Sequence, residues 1–266
     1  MHNKMSTKRY KICFEFSGDD FYGSQKQPDK RTVQGELETA LSTLTKEQTS
    51  IVPSGRVDRG VSAKYQTAHF DCSAIADTEK FKYSLNCILP DDLKVFELRE
   101  IKPDFHAQKD AKYKHYRYTI QNNPVASVFL KRNLFYPYFE LDIDKINDIL
   151  SYITGYHNFS SFKSASDNPY DDCTIYYAKA KREKIGRCDL IYIDIVGDRF
   201  LYNMIRTIVG EILYILRNNK PPEYMKEVLD SKNRANAKNV IEAKGLTLEY
   251  VGYDDVQNYI KQHLNS

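Results

Sequence analysis

The sequence lacks several features that mark particular classes of protein. It contains no tryptophan, no Cys-x-x-Cys pair and no apolar run near the ~20 residues of a membrane-spanning helix. The five cysteines are widely spaced, so we expect free thiols in a reducing compartment rather than a zinc knuckle or a redox motif. Residues 1–9 are polar and basic without an apolar stretch, so we expect no secretory signal and a cytoplasmic location.

The composition is that of an ordinary globular protein, with 41% hydrophobic and 28% charged residues among 266. The net charge of +3 is compatible with a nucleic-acid partner but does not imply one. Basic residues form two clusters: Lys109, Lys112, Lys114, His115 and Arg117 in the first, and Lys179, Lys181, Arg182, Lys184 and Arg187 in the second. Two interpretations stay open, solvated strand faces or a surface for an RNA backbone.

Hydrophobic periodicity predicts a plan of strands and helices that repeats in the two halves of the chain. The predicted strands are 9–16, 66–72, 93–101, 112–121, 175–184, 189–196 and 246–252, and the first of them has one buried face. The predicted helices are 32–45, 78–87, 143–153, 200–217 and 221–230, followed by a short polar tail. For the helix at 143–153, Asp142 and Asp144 are both candidate N-caps.

This order predicts an α+β fold with two similar subdomains, residues 1–105 and 106–266. We expect their antiparallel sheets to join into one extended sheet, with the helices packed on one side. The active-site cleft is expected between the halves.

Three stretches carry candidate chemistry. In Ser54–Ala63, two glycines flank Asp58 and its neighbouring arginines, so a tight loop can present a carboxylate and a guanidinium together. In Phe200–Gly210, Arg206 lies beside an apolar helical stripe, where it needs either a carboxylate from a distant segment or a path to water. Tyr113–Tyr118 is a basic, aromatic strand. Composition alone favours a surface turn for the first stretch. It leaves a snorkelling arginine open for the second and a plain core strand open for the third.

Several motifs in fixed order resemble the TruA family of tRNA pseudouridine synthases. Gly55–Ala63 resembles the family pattern Gly-Arg-Thr-Asp-x-Gly-Val-(His or Ser)-Ala. The other matching segments are Tyr22–Pro28, Thr32–Glu38, Leu85–Pro90, Asp104–Ala107, Tyr116–Tyr118 and Phe200–Gly210. The Ser62 variant and the Gln-x-Gln-Pro run are most similar to archaeal and eukaryotic branches.

The resemblance implies isomerisation of uridine to pseudouridine without a cofactor or metal, by default at positions 38–40 in the anticodon arm of tRNA. It implies Asp58 as nucleophile, acting on the uracil ring or on the ribose anomeric carbon after the base is flipped out. It assigns base stacking and a general-base role to Tyr116, and pairing with Asp58 to Arg206. Five further residues are expected to contact RNA: Gln25, Arg56, Arg59, Lys114 and Arg117. A homodimer is also implied.

Four positions depart from the family pattern: Ser24, Val57, Gln108 and Asn158. Val57 replaces a threonine, so a hydroxyl of the loop is lost. These departures keep open a second hypothesis, a tRNA-binding or folding-assisting protein that has lost catalysis. A third is an unrelated α+β enzyme that uses Asp58 on a small substrate.

Overall fold

The chain forms two compact units in a computed structural model that describes residues 7–165, 169–237 and 239–264. The first unit comprises Met1–Lys112 and Leu248–Tyr253, and the second comprises Tyr113–Thr247 and Asp254–Ser266. The chain therefore returns to the first unit at Leu248–Tyr253. The predicted division into residues 1–105 and 106–266 does not include this return. Each unit combines strands with helices, which confirms the α+β class.

The elements of the first unit up to residue 112 are β1 (Thr7–Phe16), α1 (Val33–Thr45), β2 (Ile51–Pro53), β3 (Ser62–Ser73), α2 (Thr78–Ile88) and β4 (Leu93–Ile101). The strand order is β4-β1-β3, with β2 also paired to β3. The β1 strand pairs antiparallel with both β3 and β4. The loop between β2 and β3 carries Asp58, so the sheet fixes both ends of the loop.

Both faces of β1 are buried in the middle of the strand, which corrects the prediction of one buried face, although Glu15 on the second face is exposed. Ile12 and Phe14 are buried as expected, but Lys11 and Cys13 on the opposite face are buried too. Cys13 Sγ lies 3.6 Å from Thr67 Oγ1, and burial raises the pKa of its thiol. Alternation in the sequence distinguishes the faces but does not show what covers the more polar one.

The later strands are β5 (Tyr113–Gln121), β6 (Leu134–Phe135), β7 (Gly155–Asn158), β8 (Asp172–Ile185), β9 (Cys188–Gly197) and β10 (Leu246–Gly252). The later helices are α3 (Ile143–Ser151), α4 (Met204–Arg217), α5 (Tyr224–Asp230) and α6 (Val256–His263). Strands β5-β9-β8-β7 are neighbours in that order and pair antiparallel, whereas the short β6 pairs parallel with β5. Most of β10 belongs to the first unit, where it lies beside β3.

Helix starts follow local capping chemistry. Thr32 caps α1 by accepting a hydrogen bond from the Gly35 N–H at 3.2 Å. Of the two candidates at α3, Asp142 is the cap and accepts from the Lys145 N–H at 3.1 Å. The α4 helix begins at Met204 rather than at residue 200, because Asn203 has a left-handed backbone with φ 61°.

Four elements were not predicted from periodicity: β2, β6, β7 and α6. The first three are only two to four residues long, too short for a periodic signal. The α6 helix occupies the segment predicted as a polar tail. None of the helices within the described ranges is long and apolar enough to cross a membrane.

Candidate active site

Asp58 lies in a tight turn between β2 and β3. Its carbonyl accepts a hydrogen bond from the Val61 N–H at 3.1 Å, and Gly60 has φ 81°. A positive φ at the third position of a four-residue turn favours glycine, which explains the residue at this point. The turn leaves Asp58 half-buried, while Arg56 and Arg59 on either side are exposed.

Hydrogen bonds hold the loop backbone at two points before Asp58. Ser54 Oγ donates to Gln66 Oε1 at 2.5 Å, and Gln66 Nε2 donates to the Gly55 carbonyl at 3.1 Å. Further along, the Ser24 N–H donates to the Val57 carbonyl at 3.0 Å, and the Val57 N–H donates to Ser24 Oγ at 2.8 Å. The side chain of Val57 is only 4% exposed, so the departure from threonine lies on the inner side of the loop.

The segment before α1 packs against this loop at backbone distance. A Cβ on Gly18 would lie 2.2 Å from the Val61 carbonyl oxygen, and the Gly18 N–H donates to Ser62 Oγ at 3.1 Å. Gly23 has φ 86°, and a Cβ there would lie 3.2 Å from the Val57 carbonyl oxygen. Glycine at both positions therefore permits the main chain of residues 18 and 23 to pack directly against the main chain of the Asp58 loop.

Tyr22 brings two cations together beside the loop. The Arg59 guanidinium lies 4.2 Å from the centre of its ring, and Lys30 Nζ lies 4.6 Å from it. The ring is 39% exposed, and Gln25 nearby in sequence is also exposed. This cluster of Tyr22, Lys30 and Arg59, which we call the Tyr22 cluster, is an aromatic and cationic surface next to the turn of Asp58.

In the second unit, Tyr116 lies in the middle of β5. Its side chain is buried, and its ring meets that of Phe200 edge-on, with 5.2 Å between centres and 82° between planes. Lys114 on the same strand is partly buried, and burial lowers the pKa of its ammonium to about 8.

Arg206 lies in the first turn of α4. Its Nε donates to the Ile241 carbonyl at 2.8 Å, and its Nη1 donates to Asn203 Oδ1 at 2.7 Å. A distant segment approaches α4 at Gly210, where the Asn239 carbonyl oxygen lies only 2.3 Å from the position of a Cβ. This segment supplies a carbonyl group, however, and not the expected carboxylate. Among the described residues of the second unit, Arg206 Nη2 has no hydrogen-bond acceptor.

A buried network fixes β5 through the residues on either side of Tyr116. The carboxylate of Asp194 on β9 accepts hydrogen bonds from Arg117 Nε at 2.7 Å and Arg117 Nη2 at 3.1 Å. Its Oδ1 also lies 2.8 Å from His115 Nε2. The other ring nitrogen of His115 lies 2.8 Å from the hydroxyl of Tyr259 on α6. Burial favours a raised pKa for Asp194, but the hydrogen bonds from His115 and Arg117 outweigh burial and lower it.

Comparison with known proteins covers nearly the whole chain. Residues 149–254 match a family model described as tRNA pseudouridine synthase. A tRNA pseudouridine synthase A of Brevibacillus brevis is 39% identical over 246 residues, covering 92% of this chain and 100% of that protein. The chain belongs to the tRNA pseudouridine synthase A family. Proteins of that name from Clostridium acetobutylicum and a Thermotoga species are 36% and 37% identical, with 92% and 90% of this chain covered and 100% and 97% of theirs.

Membership of the tRNA pseudouridine synthase A family confirms the resemblance found in the sequence. The placement in archaeal and eukaryotic branches is not confirmed. Of the predicted site residues, Asp58, Arg56, Arg59 and Gln25 belong to the first unit, whereas Tyr116, Arg206, Lys114 and Arg117 belong to the second. Their roles, and the pairing of Asp58 with Arg206, stay predictions.

Three residues that shape these segments, Asp194, Tyr22 and Ser24, had no role assigned from the sequence. The sequence does indicate a buried ion pair at Asp194. It is an isolated acid in the apolar alternation Ile191–Ile195 and so requires a cationic partner. Tyr22 stands in a matching segment and Ser24 is one of the four departures, but the sequence does not indicate what either residue contacts. Their importance comes from contacts with Arg59 and Val57, more than 30 residues away in sequence.

Proposed function

We propose that this protein is a tRNA pseudouridine synthase, an enzyme that isomerises uridine in tRNA to pseudouridine with Asp58 as nucleophile. The observation that carries the proposal is the 39% identity over 246 residues to a protein of that name, spanning the latter's full length. The fixed turn of Asp58 supports it locally, because a nucleophile held by a rigid backbone keeps its attack geometry.

The proposed reaction is an intramolecular exchange of one bond for another. The bond from ribose C1′ to uracil N1 breaks, the detached ring turns, and a bond from C1′ to C5 forms. The proton on C5 leaves and N1 gains one, so the product is an isomer of the substrate and no cofactor is consumed. Asp58 provides the carboxylate that attacks either the ring or C1′ and is released when the new bond forms.

We assign the remaining predicted residues to supporting roles. Tyr116 stacks on the flipped uracil and is the candidate base for the C5 proton. Arg206 is proposed to hold Asp58 ionised and oriented, through Nη2, because its Nε and Nη1 already bind Ile241 and Asn203.

The proposed RNA contacts combine the exposed residues of the first unit with Lys114 and Arg117. Arg56 and Gln25 are exposed, and Arg59 is part of the Tyr22 cluster, which suits phosphate and base contacts together. Arg117 is already bound at two atoms by Asp194, so we expect it to contribute less to RNA binding than Arg59. The anticodon arm as substrate, a homodimer and a cytoplasmic location complete the proposal.

Replacement of Asp58 tests the assignment of the nucleophile. Asp58→Ala and Asp58→Asn should lower pseudouridine formation on unmodified tRNA transcripts by at least about 10³-fold, because no other group supplies the covalent step. Both variants should still retard the transcript in a gel. The matched control is Asp91→Ala, since Asp91 is a fully exposed carboxylate of the same unit.

Two results would redirect the proposal. Full activity in Asp58→Ala would show that another residue is the nucleophile. Wild-type protein that binds transcripts but forms no pseudouridine would favour the hypothesis of a binding protein without catalysis. Mapping pseudouridine in total tRNA with and without the gene identifies the modified positions.

A further inference from the structure

Ser24 connects the loop of Asp58 to helix α1. Its hydroxyl accepts the Val57 N–H at 2.8 Å, and its own N–H donates to the Val57 carbonyl at 3.0 Å. Its carbonyl accepts the N–H of Gln34 in the first turn of α1 at 2.9 Å. Ser24 is 5% exposed, so these bonds lie in a place from which water is largely excluded.

The helix end of this connection is firmly packed. Three residues of α1 are buried to 1% exposure or less: Val33, Leu37 and Leu41. The Val33 N–H also donates to the Gly23 carbonyl at 3.4 Å. A residue bound to this helix therefore cannot move without disturbing the core, and Ser24 transmits that rigidity to Val57.

The loop end is the peptide that leads into Asp58. Both polar groups of the Val57 backbone are bound by Ser24, which fixes the orientation of this residue next to the carboxylate. The main chain of Gly23 lies against the same stretch, with its Cβ position 3.2 Å from the Val57 carbonyl oxygen and 3.7 Å from the Asp58 carbonyl carbon. Val57 has no side-chain hydroxyl of its own, so the buried N–H depends on the acceptor from Ser24.

We infer that Ser24 is a positioning residue for the reaction, which holds the Asp58 carboxylate in its attack geometry through the two hydrogen bonds to Val57. The inference rests on the proposed role of Asp58. Ser24 does not touch the substrate in this scheme. Its loss lets the loop backbone rotate and so lowers the rate of the chemical step, while the RNA-contacting side chains of the loop still meet the tRNA.

The test compares three variants at saturating enzyme in single-turnover reactions with a tRNA transcript. Ser24→Ala removes the acceptor and should lower the rate constant about tenfold, because small misplacement of a reacting group is costly. The Kd for tRNA should change by less than about twofold. Ser24→Thr keeps the hydroxyl and should restore most of the rate.

The matched control is Ser161→Ala. Ser161 is fully buried in the second unit, donates its hydroxyl to the Val228 carbonyl at 2.7 Å and accepts the Asn233 N–H at 3.0 Å, so the same truncation also removes a serine acceptor from a backbone N–H. Ser161→Ala should lower Tm at least as much as Ser24→Ala, but only Ser24→Ala should lower the rate constant of the chemical step.

The inference is overturned by a wild-type rate constant in Ser24→Ala, by an equal loss in Ser161→Ala or in Ser24→Thr, or by a loss confined to Kd. Measuring Asp58→Ala in the same assay distinguishes a failure of the proposed nucleophile from a failure of the proposed role of Ser24. An active Asp58→Ala protein would remove the proposed nucleophile whatever Ser24 does. An inactive Asp58→Ala with a normal Ser24→Ala would remove only the positioning role.

Discussion

Individual ionisable residues on β5 have contrasting environments although they are close in sequence. His115 and Arg117 share the buried carboxylate of Asp194, so both ring nitrogens of His115 and two of the three guanidinium nitrogens of Arg117 have partners within the fold. Lys114 between Tyr113 and His115 is partly buried, and within the described residues no hydrogen bond or ion pair stabilises its ammonium, whose pKa is lowered to about 8. An ammonium without a carboxylate partner is available to a phosphate oxygen of a bound RNA.

Lys114 therefore predicts a tRNA affinity that depends on pH. The Lys114 side chain is charged below about pH 8 and loses its charge above it. The Kd for tRNA should therefore rise between pH 7.5 and about 9, because the attraction to phosphate is lost. Lys114→Arg should flatten this profile because guanidinium stays protonated. Binding is measured in the Asp58→Asn background at constant ionic strength. Identical profiles for the parent and the arginine variant would contradict the prediction.

The lowered pKa of Lys114 also makes the stability of the fold depend on pH. The folded pKa of Lys114 lies below its ordinary value of 10.5, so the unfolded chain binds more protons between the two values. The contribution of Lys114 to the free energy of unfolding therefore increases as pH rises from about 8 towards 10.5.

At the level of whole elements, the sequence predicted most helices and long strands because their apolar residues recur with a regular period. It placed the start of α4 too early, because the apolar stripe continues through Leu201 while Asn203 takes a left-handed backbone. It predicted that Arg206 needs a partner, but the partner in the second unit is the carbonyl of Ile241. A backbone carbonyl has no signature in the sequence, so this contact could not be foreseen.

The α6 helix escaped prediction for a related reason. Its single buried residue, Ile260, gives little periodic signal. The helix is held instead by an Asp255 cap and by Tyr259, whose ring lies 5.2 Å from that of Tyr113 and whose hydroxyl meets His115. Such tertiary contacts become visible only in three dimensions.

Tyr259→Phe tests whether α6 is anchored by its hydroxyl. The change keeps the ring and removes the hydrogen bond to His115, so the free energy of unfolding should fall by about 1 kcal/mol. Urea unfolding followed by circular dichroism provides the measurement. Tyr156→Phe is the matched control, since Tyr156 is 70% exposed and should change stability little. A loss of equal size in both variants would argue against the anchor.

For the molecule as a whole, positive charge is distributed rather than large. The sequence has 39 basic and 36 acidic residues, and one arginine in each of strands β5 and β8 is paired with acids within the fold. Arg182, for example, pairs with Glu140 and Asp189. The composition therefore overstated the charge available to RNA in these strands, because pairing between distant acids and bases is not visible in a count.

Salt dependence of tRNA binding measures the charge that remains available. Arg59→Gln should weaken binding and reduce the magnitude of the slope of log K against log salt by about 1, because one phosphate contact is lost. Lys226→Gln removes the same charge from an exposed site in α5 and should leave the slope unchanged. Equal slopes for Arg59→Gln and the parent would exclude Arg59 as a phosphate contact.

The return of the chain to its first unit has a consequence for synthesis. Leu248–Tyr253 are translated long after Lys112, yet they cover the edge of β3. Until they leave the ribosome, the part of that edge beyond the β2 pairing at Ala68–Phe70 is open to pairing with other chains. Since β3 directly follows the Asp58 loop, we expect chains that end before Leu248 to have lower activity than the chain that includes it.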